Sequence, residues 1–247
     1  MVPLIAVAHG SRDPRSAATI HELSDVLRDL APGIDVRVAF LDLSAPRLAD
    51  VLAAAHADGH DEVVVVPLLL GSAYHARVDI PGALALAGTR HPRLLIRLAD
   101  VLGPDPRLES VALRRLADAG ADPCDERLGV VLAGAGSSHQ PANTAVRGVA
   151  ARWARRTRWA GAVAAFAAAT RPDVPSAIAS LRTVGARRIA VGSWFLAPGL
   201  LPDRVRAAAP DALVAAPLGA DREVAQVVLD RYDAVARYPV ASALAAG

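Results

Sequence analysis

Leu4-Ile5-Ala6-Val7-Ala8-His9-Gly10-Ser11-Arg12 sets five apolar residues in unbroken succession and follows them at once with a histidine, a glycine and a serine. A run of strand length that is apolar at odd and even positions alike belongs to a strand covered on both faces, as in a parallel sheet packed between helices. His9 then stands at the strand's carboxyl end, where open α/β sheets bind their ligands. Gly10 permits a tight turn, and a helix is expected to open near Arg15. Ser11 and the amides after it are expected to be available to an anion at that helix N-terminus.

Working outward, apolar runs at 34–40, 63–70 and 94–98 alternate with segments of helical spacing. That order means βαβ units with right-handed crossovers. Ser44 or Asp42 is expected to cap the helix that holds Leu48, Val51 and Leu52, and Gly59 stands where that helix must stop. The same order returns after a linker around residues 119–127, with strands expected at 129–133, 161–167, 188–194 and 213–216. Adding 126 carries Gly10 to Gly136, Ser11 to Ser137, Phe40 to Phe166, Pro46 to Pro172, Gly59 to Gly185 and Val65 to Val191. Beyond the third strand the offset falls to 116, where Leu102, Gly103 and Asp105 meet Leu218, Gly219 and Asp221. The chain is therefore a tandem duplication, with two copies too few for a solenoid. The fold class expected is α/β: halves over 1–120 and 128–247, each a four-stranded parallel sheet flanked by helices, with a ligand cleft between them.

Composition narrows the function. The 247 residues are 53% hydrophobic, and no apolar run approaches the length of a membrane helix, so a globular protein without a membrane partner is expected. Met1-Val2-Pro3 runs straight into the first apolar run with no basic segment before it, so secretion is not expected. Cys124 is the one cysteine, which excludes an internal disulfide and a cysteine metal cluster and fits the cytoplasm. All 27 basic residues are arginine, interleaved with 25 acids, and aromatics make up 4%, so nucleic acid is not an expected partner.

The duplication supplies an internal control for the chemistry. His75 lies a few residues beyond the third strand, so it and His9 can meet at the carboxyl edge of one sheet. Their counterparts in copy two are Ala135 and Leu201, so both imidazoles are absent together. Asp42, at the end of the second strand, faces Ala168 in copy two. Two histidines and one acid suit a divalent transition metal, with imidazole as neutral ligand and carboxylate as proton acceptor. His56 and His60 are four apart, but Gly59 breaks the helix between them. His21 is expected on a helix surface and His91 in a solvated loop, whereas His139 could look into the cleft.

His9-Gly10-Ser11-Arg12 after the first strand, Ala39-Phe40-Leu41-Asp42 before Pro46, and Pro67-Leu68-Leu69-Leu70-Gly71 leading to Tyr74-His75 together resemble the CbiX/SirB-type sirohydrochlorin chelatases, relatives of ferrochelatase, in their long two-copy form. The resemblance spans almost the whole chain. It implies insertion of Co2+ or Fe2+ into a sirohydrochlorin-like tetrapyrrole, with the metal as substrate and no organic cofactor. It makes His9 and His75 the metal-handling residues and Asp42 the acid, at a position where that family more often has glutamate. Ser11, Arg12, Ser72, Tyr74 and Arg77 are then the expected contacts to the ring's carboxylates, and two halves in one chain imply a monomer. Three other readings compete. A phosphohistidine phosphatase needs an arginine where Ala8 stands, and the Gly134-Ala135-Gly136 turn lacks the third glycine of a dinucleotide site. A metal or tetrapyrrole carrier without turnover would need the same residues.

Overall fold

A computed structural model describes residues 1–71 and 78–237. Two parallel sheets form, ordered β2-β1-β3-β4 and β6-β5-β7-β8. Sheet one contains β1 (Leu4–Ala8), β2 (Val36–Phe40), β3 (Glu62–Pro67) and β4 (Leu95–Leu98); sheet two contains β5 (Leu128–Gly134), β6 (Gly161–Phe166), β7 (Arg188–Trp194) and β8 (Leu213–Val214). The helices are α1 (Pro14–Leu30), α2 (Leu48–Ala57), α3 (Ile80–Arg90) and α4 (Pro106–Asp118), then α5 (Gln140–Arg156), α6 (Val174–Thr183), α7 (Leu200–Ala207) and α8 (Arg222–Ala236). Among the described residues, no helix is long and apolar enough to cross a membrane.

The unbroken apolar strands are buried on both faces for the expected reason. On β1, Leu4, Ala6 and Ala8 join the core between the two sheets, whereas Ile5 and Val7 join an outer core under α2 and α3. On β5, Val130 and Leu132 face the same central core, and Val131 and Ala133 face an outer core under α6 and α7. The layers therefore run helix, sheet, helix, sheet, helix, with α1, α4, α5 and α8 in the middle.

Within that middle layer the last helix of each half is exchanged. α4 packs on β7 of sheet two, and α8 packs on β3 and α1 of the first half. The exchange is locked by matching contacts. Arg231 of α8 donates to the carbonyls of Val101 and Leu102 and lies 3.4 Å from Asp105, the N-cap of α4. Arg115 of α4, its counterpart at offset 116, donates to the Leu218 carbonyl and lies 3.7 Å from Asp221, the N-cap of α8.

The turns repeat as closely. The Asp42 amide donates to the His9 carbonyl at 2.9 Å, and Ala168 donates to Ala135 at 3.0 Å. Leu102 donates to Leu69, as Leu218 does to Phe195. Gly10 and Gly136 both take positive φ, at 93° and 85°. A Cβ on Gly10 would lie 1.7 Å from the Asp42 carbonyl oxygen, and one on Gly136 would lie 2.1 Å from that of Ala168. Only glycine fits so close a backbone crossing.

Two local expectations are corrected. Neither Ser44 nor Asp42 caps α2, whose N-cap is Arg47 without a side-chain bond. The Ser44 hydroxyl instead accepts from the Ser11 amide and donates to the Ser11 carbonyl, tying the β2–α2 loop to the β1–α1 turn. His91 is the C-cap of α3 and has its ring against His56, not free in solvent. The stop at Gly59 is as expected, with φ at 91° just past the C-cap Asp58.

Candidate active site

A cleft of about 410 Å³ opens at the carboxyl ends of β1, β3, β5 and β7, with walls from both halves. His9 lies at its base beside Ala8 and Gly10, half-buried, with Nδ1 3.2 Å from the Gly10 carbonyl oxygen. Leu68, Leu69 and Leu70 form one wall, and Trp194, Phe195 and Leu196 form the other. Ser16 and Ile20 of α1 close the side. His9 is the one titratable side chain among the described lining residues.

The duplication is visible in this cleft. Ala135 and Leu201, the counterparts of His9 and His75, both line it. Copy two thus presents its equivalent positions to the same space, stripped of imidazole. The expectations at His75, Ser72, Tyr74 and Arg77 lie outside the described residues.

Asp42 is exposed at the rim and does not belong to the described lining. Its carboxylate accepts from Arg47 at 2.6 Å and from the Leu43 amide at 2.8 Å. The Arg47 guanidinium, foremost, then the Leu43 amide and at longer range His9, hold its pKa below the usual carboxylate range. An acid so stabilised as its anion is a weak proton acceptor at neutral pH.

The amides at the start of α1 are not open to an anion, contrary to expectation. Ser11 donates to Ser44 Oγ, Asp13 donates to Ser11 Oγ, and Arg15 donates to Asp13 Oδ1. With only short polar side chains at hand, the turn satisfies its own donors. Arg12 remains exposed, and among the described residues its guanidinium has no ion pair. Arg15 pairs with Asp13 and with Asp203 of α7, a bridge between the halves at the rim. Sequence reasoning missed Ile20 and Ser16. Ile20 shares one helix stripe with Leu23 and Leu27, and nothing in that spacing says that its first member meets a cleft and not the core.

A family model described as CbiX matches residues 3–119 and again 129–235. The sirohydrochlorin cobaltochelatase of Priestia megaterium is 25% identical over 208 residues, covering 83% of this chain and 67% of the relative. That of Methanopyrus kandleri is 28% identical over 139 residues, covering 48% of this chain but 97% of the relative, a protein of one-copy length. Among solved structures, SirB from Bacillus subtilis with Fe3+ superposes with a TM-score of 0.76 at 24% identity, covering 94% of each chain, which establishes the likeness in fold.

Proposed function

Since the chain belongs to the CbiX family, once through each half, we propose that it is a sirohydrochlorin chelatase, inserting Co2+ or Fe2+ into a sirohydrochlorin-like tetrapyrrole in the cytoplasm. The metal is a substrate, and the reaction needs no organic cofactor. One observation carries the reading: an apolar cleft of about 410 Å³, walled by both halves, with an imidazole at its base and alanine and leucine at the copy-two positions.

Insertion requires two pyrrole protons to leave and the ring to bend so that its nitrogens reach the ion. In this reading His9 and His75 hold the incoming metal as neutral imidazoles, and as the metal passes to the ring each released imidazole takes one of the two pyrrole protons and then gives it up to solvent. Trp194, Phe195 and the Leu68–Leu70 wall grip the ring faces, and a bound ring that excludes water from this apolar cleft strengthens each electrostatic contact inside it. Asp42 acts as a fixed negative charge beside His9, favouring the imidazolium that forms, and Arg47 keeps it ionised. Arg12 and Arg77, with Ser72 and Tyr74, meet the peripheral carboxylates; the Ser11 side chain serves the turn. The half over 1–120 carries the metal chemistry and the half over 128–247 supplies the opposing wall, so one chain does as a monomer what two one-copy chains would do together.

The test is anaerobic incubation with sirohydrochlorin and either ion, following the absorbance of the metallated ring. Insertion well above the spontaneous rate is expected. Equal rates with and without protein, for both ions, would overturn the reading.

A further inference from the structure

Two histidines that the cleft does not use face each other at the opposite edge of sheet one. His56 lies in the last turn of α2, and His91 is the C-cap of α3. α2 and α3 lead into the amino ends of β3 and β4, so this pair sits at the edge remote from His9. Their ring centroids are 5.4 Å apart with planes tilted at 59°.

That separation is within the range of an ordinary ring contact and also matches the spacing of two imidazoles on one ion. With metal–nitrogen bonds of about 2.0–2.1 Å, each ring centre lies about 3.2 Å from the ion, and a tetrahedral angle sets the two centres about 5.2 Å apart. Among the described residues the buried Nδ1 of His56 has no hydrogen-bond partner, an unmet polar atom of the kind a ligand satisfies. Copy two again acts as a control. His56 corresponds to Arg182, which donates to the carbonyls of Ala186 and Arg187, and the C-cap His91 corresponds to the C-cap Ala208. Both imidazoles are missing together, and an apolar groove lined in part by Arg182 and Ala208 occupies the place. The fold therefore does not need the histidine pair.

We propose that His56 and His91 bind a divalent transition ion of the imidazole-seeking class, such as Co2+, Ni2+ or Zn2+, at a second site independent of the cleft. Among the described residues, no group of three or more His, Cys, Asp or Glu is placed to hold an ion. Water completes the coordination on the side away from the buried Nδ1 of His56. The site holds an ion on the chain without competing for the tetrapyrrole.

Titration calorimetry with Ni2+ on the full chain tests this, using the His9→Ala, His75→Ala double variant to silence the cleft. One ion per chain is expected to remain, and adding His91→Ala, the residue copy two already has, should abolish it. Co2+ bound to the double variant should give the visible absorption of imidazole coordination, lost with His91→Ala or His56→Ala. Thermal melting of each variant verifies that it is folded. No residual ion in the double variant, or a residual ion unchanged by His91→Ala, overturns the proposal and leaves the pair a ring contact only. The cleft reading is judged separately, by the difference between the unmodified chain and the double variant.

Discussion

At the scale of single residues, the duplicated chain states the cost of its own substitutions. Ala135 occupies the position of His9 in an equivalent turn, so His9→Ala should leave stability within about 0.5 kcal/mol while lowering metal insertion by about 100-fold or more. Steady-state insertion beside a denaturant melt checks both halves of that statement. Asp42 makes a sharper prediction. Arg47 lowers its pKa, so the carboxylate stays charged until the pH falls through that lowered value. Removing the guanidinium in Arg47→Ala returns the pKa toward the ordinary range, and the negative charge beside His9 is then lost at higher pH. Because the ion is held by neutral imidazoles, an acid limb remains in every variant. Asp42→Asn should lower the insertion rate across the whole profile, whereas Arg47→Ala should lower it only toward acid pH, where the Asp42 carboxylate now protonates sooner. Insertion rates unchanged in both variants at every pH would remove Asp42 from the mechanism.

At the scale of elements, the β1–α1 turn places His9 because one backbone crosses another there. Gly10→Ala adds a Cβ at 1.7 Å from the Asp42 carbonyl oxygen on a residue with φ of 93°. It should cost about 2–4 kcal/mol, by strain and displaced backbone together. Gly59 has nearly the same φ and nothing within 4 Å of its Cβ position, so Gly59→Ala isolates the strain alone, at about 1 kcal/mol. Chemical denaturation of the two variants separates steric from conformational cost, and equal losses would refute the crossing as the cause. These turns show what the sequence made legible. The strands, the stop at Gly59 and the repeat were readable because apolar runs and positive-φ glycines are local signals. So was the placing of His9, since a strand's carboxyl end follows from the strand. The role of Ser44 was not, because a serine before a helix can cap it or bond a distant turn, and only the folded chain decides between them. The engagement of Asp42 by Arg47 is equally a choice among neighbours that spacing does not rank.

At the scale of the molecule, periodicity says that α4 and α8 each have an apolar face but not which sheet that face meets, and here each meets the sheet of the other half. The clasp that fixes this should be energetically visible. Arg231→Ala strips two carbonyls and the buried Asp105 of a partner and should cost about 2–4 kcal/mol. Asp105 itself has a pKa lowered mainly by Arg107, with Arg231 adding to it. A depressed carboxylate contributes stability above its unfolded pKa and loses it as the pH falls through the folded one. Acid unfolding should therefore be shallower in Asp105→Asn below about pH 4. The exchange also decides whether the sequence halves can live apart. A chain of residues 1–120 keeps α4 without the sheet that it covers and lacks α8, which covers Val64 and Val66 of β3 and the inner face of α1. Two apolar surfaces are then bare, and burial of such surface is worth about 25 cal/mol per Å². The fragment should not persist as a folded monomer, whereas coexpression with residues 121–247 should restore a one-to-one complex, with α4 and α8 crossing between chains and the cleft between the two halves rebuilt. Sedimentation and thermal melting of the separate and combined fragments decide the matter. A monomeric 1–120 fragment with a cooperative melt would show that sheet one does not depend on α8.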